Sequence, residues 1–231
     1  MGDKVLKVAA QFATATKEVA VATAVAAAGG PALHPLAGAI ADGGFAVTVW
    51  PFVAEDADPV TDADTLSGMR ELHHALQGVS HPLPSYEASL DKTRAALSSV
   101  PHGILNEHDS ALLARSLDMV QAACDASPTR VVHGENSILN RLSVSGRAIF
   151  IDFEGTLVAP PEWDLAVWPD ALLRELWPEH DPDTLSYMRL GIYARTSVYC
   201  WRHAAARPES DNLRWHAEHH LANVRTFLAR E

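Results

Sequence analysis

The chain has 231 residues, is 48% hydrophobic and 20% charged, and carries a formal net charge of −11. That length suits one medium domain or two small lobes, and the composition is that of a core-forming protein, which excludes a disordered chain. The acidic balance argues against nucleic acid and anionic membranes as partners, whereas a cationic small molecule or a basic partner suits it.

The first residues, Met1 to Lys7, lack the apolar core of a signal peptide. Val5 to Ala10 alternates weakly and reads as a short strand carrying Lys7. Thr16 to Ala28 reads as an Ala-rich helix with a Thr cap, with Glu18 near its start, Val21 and Val25 on its apolar face, and Gly29-Gly30-Pro31 at its end. Its small apolar run is too short to cross a bilayer. Ala41-Asp42-Gly43-Gly44 is a hairpin signal. Phe45 to Trp50 is a buried strand by its β-branched and aromatic content, stopped by Pro51. The acidic, turn-like stretch from Ala54 to Asp64 is expected to link a small first lobe, residues 1–53, to a larger second one, residues 54–231. Helical spacing of apolar residues then recurs at Thr65 to Leu76, Tyr86 to Leu97 and Ser110 to Ala126.

Two strand-like runs follow, Arg130 to Val132 and Ala148 to Ile151, and are expected to form a hairpin turned by Ser145-Gly146. Further helices are predicted at Pro161 to Trp168, Ala171 to Trp177, Asp183 to Arg202 and Asp211 to Arg230. On the last of these, His216 and His220 stand at i, i+4, a spacing that can bind a metal; no carboxylate or cysteine ligand accompanies them, and a solvated helix face is the plainer reading. The two cysteines, Cys124 and Cys200, provide no disulfide framework, so a reducing, cytoplasmic setting is the default expectation. The order of elements is α+β: a small mixed N-terminal lobe and a mainly helical C-terminal one.

The chemistry concentrates in one stretch. Val131-Val132-His133-Gly134-Glu135-Asn136-Ser137-Ile138-Leu139-Asn140 is followed by Ile149-Phe150-Ile151-Asp152-Phe153-Glu154. A histidine, a carboxylate, an amide and a second carboxylate are thus set in order around two short apolar runs. Phosphoryl transfer asks for those parts: a carboxylate near the attacking hydroxyl, and an amide oxygen and a carboxylate for magnesium, which prefers oxygen ligands.

The run from His133 through Asn140, then Ile151-Asp152-Phe153-Glu154, then Glu162-Trp163-Asp164-Leu165-Ala166, resembles the aminoglycoside phosphotransferase family, which has a protein-kinase-like fold. The strand Val47 to Phe52 and the segment Glu71 to Leu76 are also similar to that group, and the likeness extends from about Val5 to about Arg202. The resemblance implies an ATP-dependent kinase, with magnesium, that phosphorylates a hydroxyl of a small molecule. It implies that Glu135 orients the hydroxyl and accepts its proton, that Asn140 and Asp152 ligate magnesium, and that Lys7, partnered by Glu18, contacts nucleotide phosphates. Trp50, Phe52 and Val53 fall where the family's hinge binds adenine through its backbone. His133 and Asp164 fall where the catalytic loop is supported, His133 also being a candidate for direct participation.

Two departures stand out. Position 135 is Glu where the family usually has Asp. No G-x-G-x-x-G occurs, so the glycine-containing hairpin that covers the phosphates is not visible, and the Lys7 strand is expected to form an open sheet edge through which the chain could dimerise. The alternative function is a non-catalytic kinase homologue that binds a nucleotide or a protein partner.

Overall fold

The computed structural model describes residues 3–135 and 138–230; Asn136 and Ser137 of the central motif lie outside them. The chain divides into two compact units, residues 1–83 with 130–179, and residues 84–129 with 180–231. The boundary expected at residue 53 falls inside the first unit.

The first unit holds the strands. β1 (Lys4–Ala9), β2 (Ile40–Asp42) and β3 (Phe45–Pro51) form an antiparallel sheet in the order β1-β3-β2. The β2–β3 connection is the expected two-residue turn: Gly43 and Gly44 have φ of 55° and 88°, the mirror-image geometry that matches strand twist and that glycine adopts without strain. β1 pairs with β3 so that Val5, Lys7 and Ala9 lie opposite Trp50, Thr48 and Ala46. Its other face leaves Leu6 and Val8 exposed, and β1 is an edge of the sheet among the described residues.

α1 (Phe12–Ala27) packs beside this sheet through Ala15, Glu18, Val21, Ala22 and Val25, a stripe that contains the expected Val21 and Val25. It begins four residues before the expected Thr16. That threonine does not cap: its hydroxyl donates to the Phe12 carbonyl, 2.9 Å away, inside the helix. The helix ends in a Schellman arrangement, Gly29 N–H to Ala26 O and Gly30 N–H to Val25 O, with Gly29 at φ 74°. α2 (Asp62–Leu76) likewise starts before the expected Thr65, capped by Thr61, whose hydroxyl oxygen accepts from the Asp64 N–H.

The expected hairpin needs correction. β4 (Arg130–Val132) pairs with β7 (Leu157–Ala159), whereas the Ser145-Gly146 turn joins β5 (Arg141–Val144) to β6 (Arg147–Phe150). The turn itself stands where expected, with φ of 52° and 73°. Two short helices, α5 (Glu162–Leu165) and α6 (Asp170–Leu176), complete this unit.

The second unit is helical: α3 (Tyr86–Ser98), α4 (Glu107–Asp125), α7 (Pro182–Ala206) and α8 (Asp211–Leu228). Leu113, Leu117 and Val120 of α4, Leu190, Ala194 and Val198 of α7, and Leu221 and Val224 of α8 are buried in it. His216 and His220 stack with ring centroids 6.2 Å apart. Among the described residues, no helix is long and apolar enough to cross a membrane, and both cysteines are free.

Candidate active site

The side chains that carry charge at the site come from three segments of the first unit. The pleat of β1 puts Lys7 on the same face as Val5 and Ala9, and α1 presents Glu18 from its buried stripe. The Lys7 ammonium donates to Glu18 Oε1 at 2.9 Å and to Asp152 Oδ1 at 2.7 Å, and Glu154 Oε2 lies 3.2 Å away. One ammonium therefore serves three carboxylates. Burial alone would lower the Lys7 pKa, but its hydrogen bonds to Asp152 and Glu18 outweigh this and hold it above the ordinary lysine value. Glu18 is almost fully buried, and burial pushes its carboxyl up against the opposing pull of Lys7, with Asp152 and Glu154 adding like-charge repulsion.

This cluster is short of positive charge. Oxygens of Glu18, Asp152 and Glu154 lie within 4.8 Å of one another, and Glu18 Oε2 is buried with no hydrogen-bond partner among the described residues. An all-oxygen donor set of this kind fits a hard divalent cation such as magnesium. Asp152 itself sits in the left-handed region, φ 65° and ψ 61°, a conformation Asp tolerates better than most residues and one that concentrates at functional sites.

A cavity of about 480 Å³ opens beside the cluster, within the usual range for small-ligand sites. Lys7, Glu18 and Asp152 line it together with Trp50, Phe52 and Val53. All six of these predicted residues thus meet at one place. The Phe52 N–H is already bonded to the Asp3 carbonyl at 2.9 Å, whereas the Val53 N–H has no partner among the described residues. The Trp50 indole N–H is spent on Thr48 Oγ1 at 2.8 Å.

The loop after β4 carries the other predicted residues. His133 is fully buried between Phe150 and Phe153, and its Nε2 meets the Ile151 carbonyl at 3.0 Å. A carbonyl only accepts, so Nε2 carries the proton. Burial holds the His133 pKa below its ordinary value. The Glu135 side chain is exposed, and its backbone carbonyl accepts from Asn140 Nδ2 at 2.7 Å. The Ile151 N–H in turn donates to the Asn140 carbonyl at 3.0 Å. His133 and Asn140 therefore tie this loop to the residue preceding Asp152.

The loop is held from behind by Asp164, which has no exposed surface. Its Oδ2 accepts from the His133 N–H at 2.7 Å and from His73 Nε2 at 2.8 Å, and its Oδ1 accepts from the Gly134 N–H at 2.9 Å. Burial would raise the Asp164 carboxyl, yet the hydrogen bond from His73, the charges of His73 and His133 and the Gly134 N–H hold it below its ordinary value. Two glycines close the packing. Gly134 has φ 87°, and a Cβ there would lie 2.0 Å from the Gly155 carbonyl oxygen; a Cβ on Gly155 would lie 2.3 Å from Glu135 Cγ. The Glu135 side chain rests on the Gly155 backbone.

No protein-family profile and no curated protein matches the sequence, but solved structures match nearly its full length. A choline/ethanolamine kinase family protein from Mesorhizobium loti superposes with a TM-score of 0.75 at 18% identity, over 98% of this chain and 82% of its own. The fold is kinase-like. Spectinomycin phosphotransferase APH(9)-Ia, in complex with ADP and spectinomycin, gives 0.68 at 16% identity over 98% and 85% of the two chains. A thermostable mutant of aminoglycoside phosphotransferase APH(4)-Ia gives 0.66 at 17% over 96% and 87%. At such identities the likeness is one of fold alone.

Within the kinase-like fold, sequence reasoning names the residues around the cavity but misses His73 and undervalues Glu154 and Gly155. His73 stands among Met69, Leu72 and Leu76 on the buried side of α2. A histidine on an apolar stripe is a signal that a buried acid awaits it.

Proposed function

We propose that this protein transfers the γ-phosphoryl group of ATP to a hydroxyl of a small molecule. The observation that carries the reading is the Lys7 ammonium shared by Glu18 and Asp152 at the end of a cavity of nucleotide dimensions. Such a constellation has little structural use, since a core of these elements would bury apolar groups more cheaply.

In this reading Trp50, Phe52 and Val53 hold the base, Val53 through its available N–H. Lys7 contacts the phosphates, and Glu18 keeps its ammonium aimed at them. Asp152 and Asn140 are the residues that would hold magnesium, which when bound neutralises charge on the phosphate oxygens. The Asn140 amide nitrogen is taken by the Glu135 carbonyl, which leaves its oxygen for that purpose. Glu135 orients the acceptor hydroxyl and takes its proton as the new oxygen–phosphorus bond forms and the bond to the leaving ADP oxygen breaks. His133 serves as a support: it is buried behind the loop and bonded to the Ile151 carbonyl. The longer Glu at position 135 is accommodated by Gly155, against which its side chain lies.

The formal charge of −11 favours a cationic acceptor, such as an amino alcohol or an aminoglycoside. The exposed edge of β1 is where a second copy would pair, and a solution mass of one chain would remove that part of the proposal. The central test is a thermal shift with magnesium and ATP, followed by ADP release with amino-alcohol and aminoglycoside acceptors, beside Asp152→Ala. The expected result is a shift and turnover in the wild type, with turnover lost in the variant. No shift in the wild type sinks the reading.

A further inference from the structure

The two walls of the cavity come from segments distant in sequence. One wall is the chain leaving β3, Trp50 to Val53 and then Glu55; the other is Leu142 of β5 and the run from Phe150 to Phe153 leaving β6. We infer that Asp56, the first residue beyond the lining of the first wall, is a positioning residue that fixes the spacing of these walls for a nucleotide. The inference rests on the phosphotransferase reading above.

The Asp56 carboxylate grips the β5–β6 turn. Its Oδ1 accepts from the Ser145 N–H at 3.0 Å and its Oδ2 from the Gly146 N–H at 2.8 Å. Both turn residues have positive φ. Successive N–H groups in such a turn can make a concavity that recognises an anion, filled here by a carboxylate of the same chain. Two parallel bonds fix direction as well as distance.

The neighbouring backbone repeats the connection. The Asp56 N–H donates to the Ser143 carbonyl at 2.8 Å, and the Val60 N–H donates to Ser143 Oγ at 3.0 Å. Asp62 Oδ1 lies 3.7 Å from Arg141 Nη2. Residues 54–60 have no helix or strand of their own, so these ties are what hold them to the hairpin.

The hairpin transmits the constraint in two directions. One strand leads from the gripped turn to Leu142 on the cavity wall. The other leads through Phe150 to Asp152, which receives Lys7. With the grip intact, both walls are set before a ligand arrives. Without it, binding must order them, and affinity falls by that cost. Once the nucleotide is bound, the walls are in place and the chemical step proceeds as before. The signature is therefore a split between nucleotide affinity and turnover.

The test is calorimetric titration of the full chain with magnesium and ADP, beside turnover at saturating ATP. Asp56→Ala should weaken MgADP about fivefold to tenfold, and Asp56→Asn, which keeps one acceptor oxygen, should fall between it and the wild type. Turnover at saturation should hold within about twofold in both. If Asp56→Ala does not fold, Asp56→Ser, which reaches at most one of the two N–H groups, is measured in its place. Lower melting temperatures with unchanged MgADP affinity would mean that Asp56 only stabilises the fold, and would overturn the inference alone. A wild type that binds no MgADP would overturn the phosphotransferase reading, and this one with it.

Discussion

The two units bury different kinds of polar group. In the first, Glu18, His73, His133, Glu162 and Asp164 are buried and ionisable, and four of them hold the proposed site or face it. In the second, the buried polar side chains are mostly hydroxyls bonded within or between its helices: Ser116 donates to the Leu112 carbonyl at 2.8 Å and Ser197 to the Ala217 carbonyl at 3.0 Å. The exception, Asp109, is matched to Arg225 by bonds of 2.7 to 3.0 Å. Burying charge is costly unless every charge is answered. The first unit concentrates that cost and, among the described residues, leaves a Glu18 oxygen without a partner, as the proposed site would require.

The hardest test of this contrast is Asp164→Asn. One carboxylate oxygen becomes an NH₂ group and must face a backbone N–H or the His73 Nε2 proton. Chemical denaturation should show a loss of about 3–5 kcal/mol, the cost of breaking a buried charged network from one side. A loss below about 1 kcal/mol would mean that the loop is held by other contacts.

Asp152→Ala should separate function from stability. Its carboxylate is partly exposed, 29% by side chain, so the fold should keep its melting temperature within a few degrees. Turnover should fall about 100-fold or more, as happens when a group that stabilises transition-state charge is removed. Equal loss of folding and turnover would place Asp152 with the structural groups instead.

Part of the pH dependence of stability follows from His133; burial lowers His220 in the same sense, whereas the Glu18 carboxyl, raised by burial, works in the opposite one. The folded pKa of His133 lies below its ordinary value because of burial, so the unfolded chain takes up the proton first as pH falls. The stability due to the neutral ring is therefore complete above about pH 6.5 and is lost as pH drops below it. Asp164, also held low, adds a second loss only below about pH 4. Urea midpoints measured from pH 8 to pH 4 should fall more, or rise less, below about pH 6.5 in the wild type than in His133→Gln. Equal slopes in the wild type and His133→Gln would contradict the assignment.

Much of this arrangement is legible in the sequence because it depends on local rules. Gly43-Gly44 and Ser145-Gly146 are turns whose residues accept positive φ, and the stripe through Glu18, Val21 and Val25 is helical in spacing. The misreadings share a cause. Thr16 looks like a helix cap, but it sits inside a helix with its hydroxyl on the carbonyl four residues back; Ser/Thr side chains serve both purposes, and tertiary packing decides which. Pairing between β4 and β7 is equally invisible, since three-residue strands have too little pattern to choose among partners. The roles of His73 and Asp56 depend on contacts 91 and 89 residues away in sequence, which no local spacing encodes.

The smallest predicted effect closes the comparison between the units. Asp109 resembles Asp164 on paper: a nearly buried carboxylate with several donors. Its cationic partner differs, because the Arg225 side chain is 46% exposed and water screens the pair. In Asp109→Asn the guanidinium can turn to solvent, and both Arg225 and Asn106 Nδ2, which donates to Asp109 Oδ2 at 2.7 Å, can still meet one oxygen. The expected loss is less than about 1 kcal/mol by chemical denaturation, a fraction of that for the same substitution at position 164. If the two losses come out equal, burial of the acid alone sets the cost, and the special character of the first unit's network disappears. If they differ as expected, what distinguishes Asp164 is that its backbone and histidine donors are buried with it and cannot reach water when it is gone.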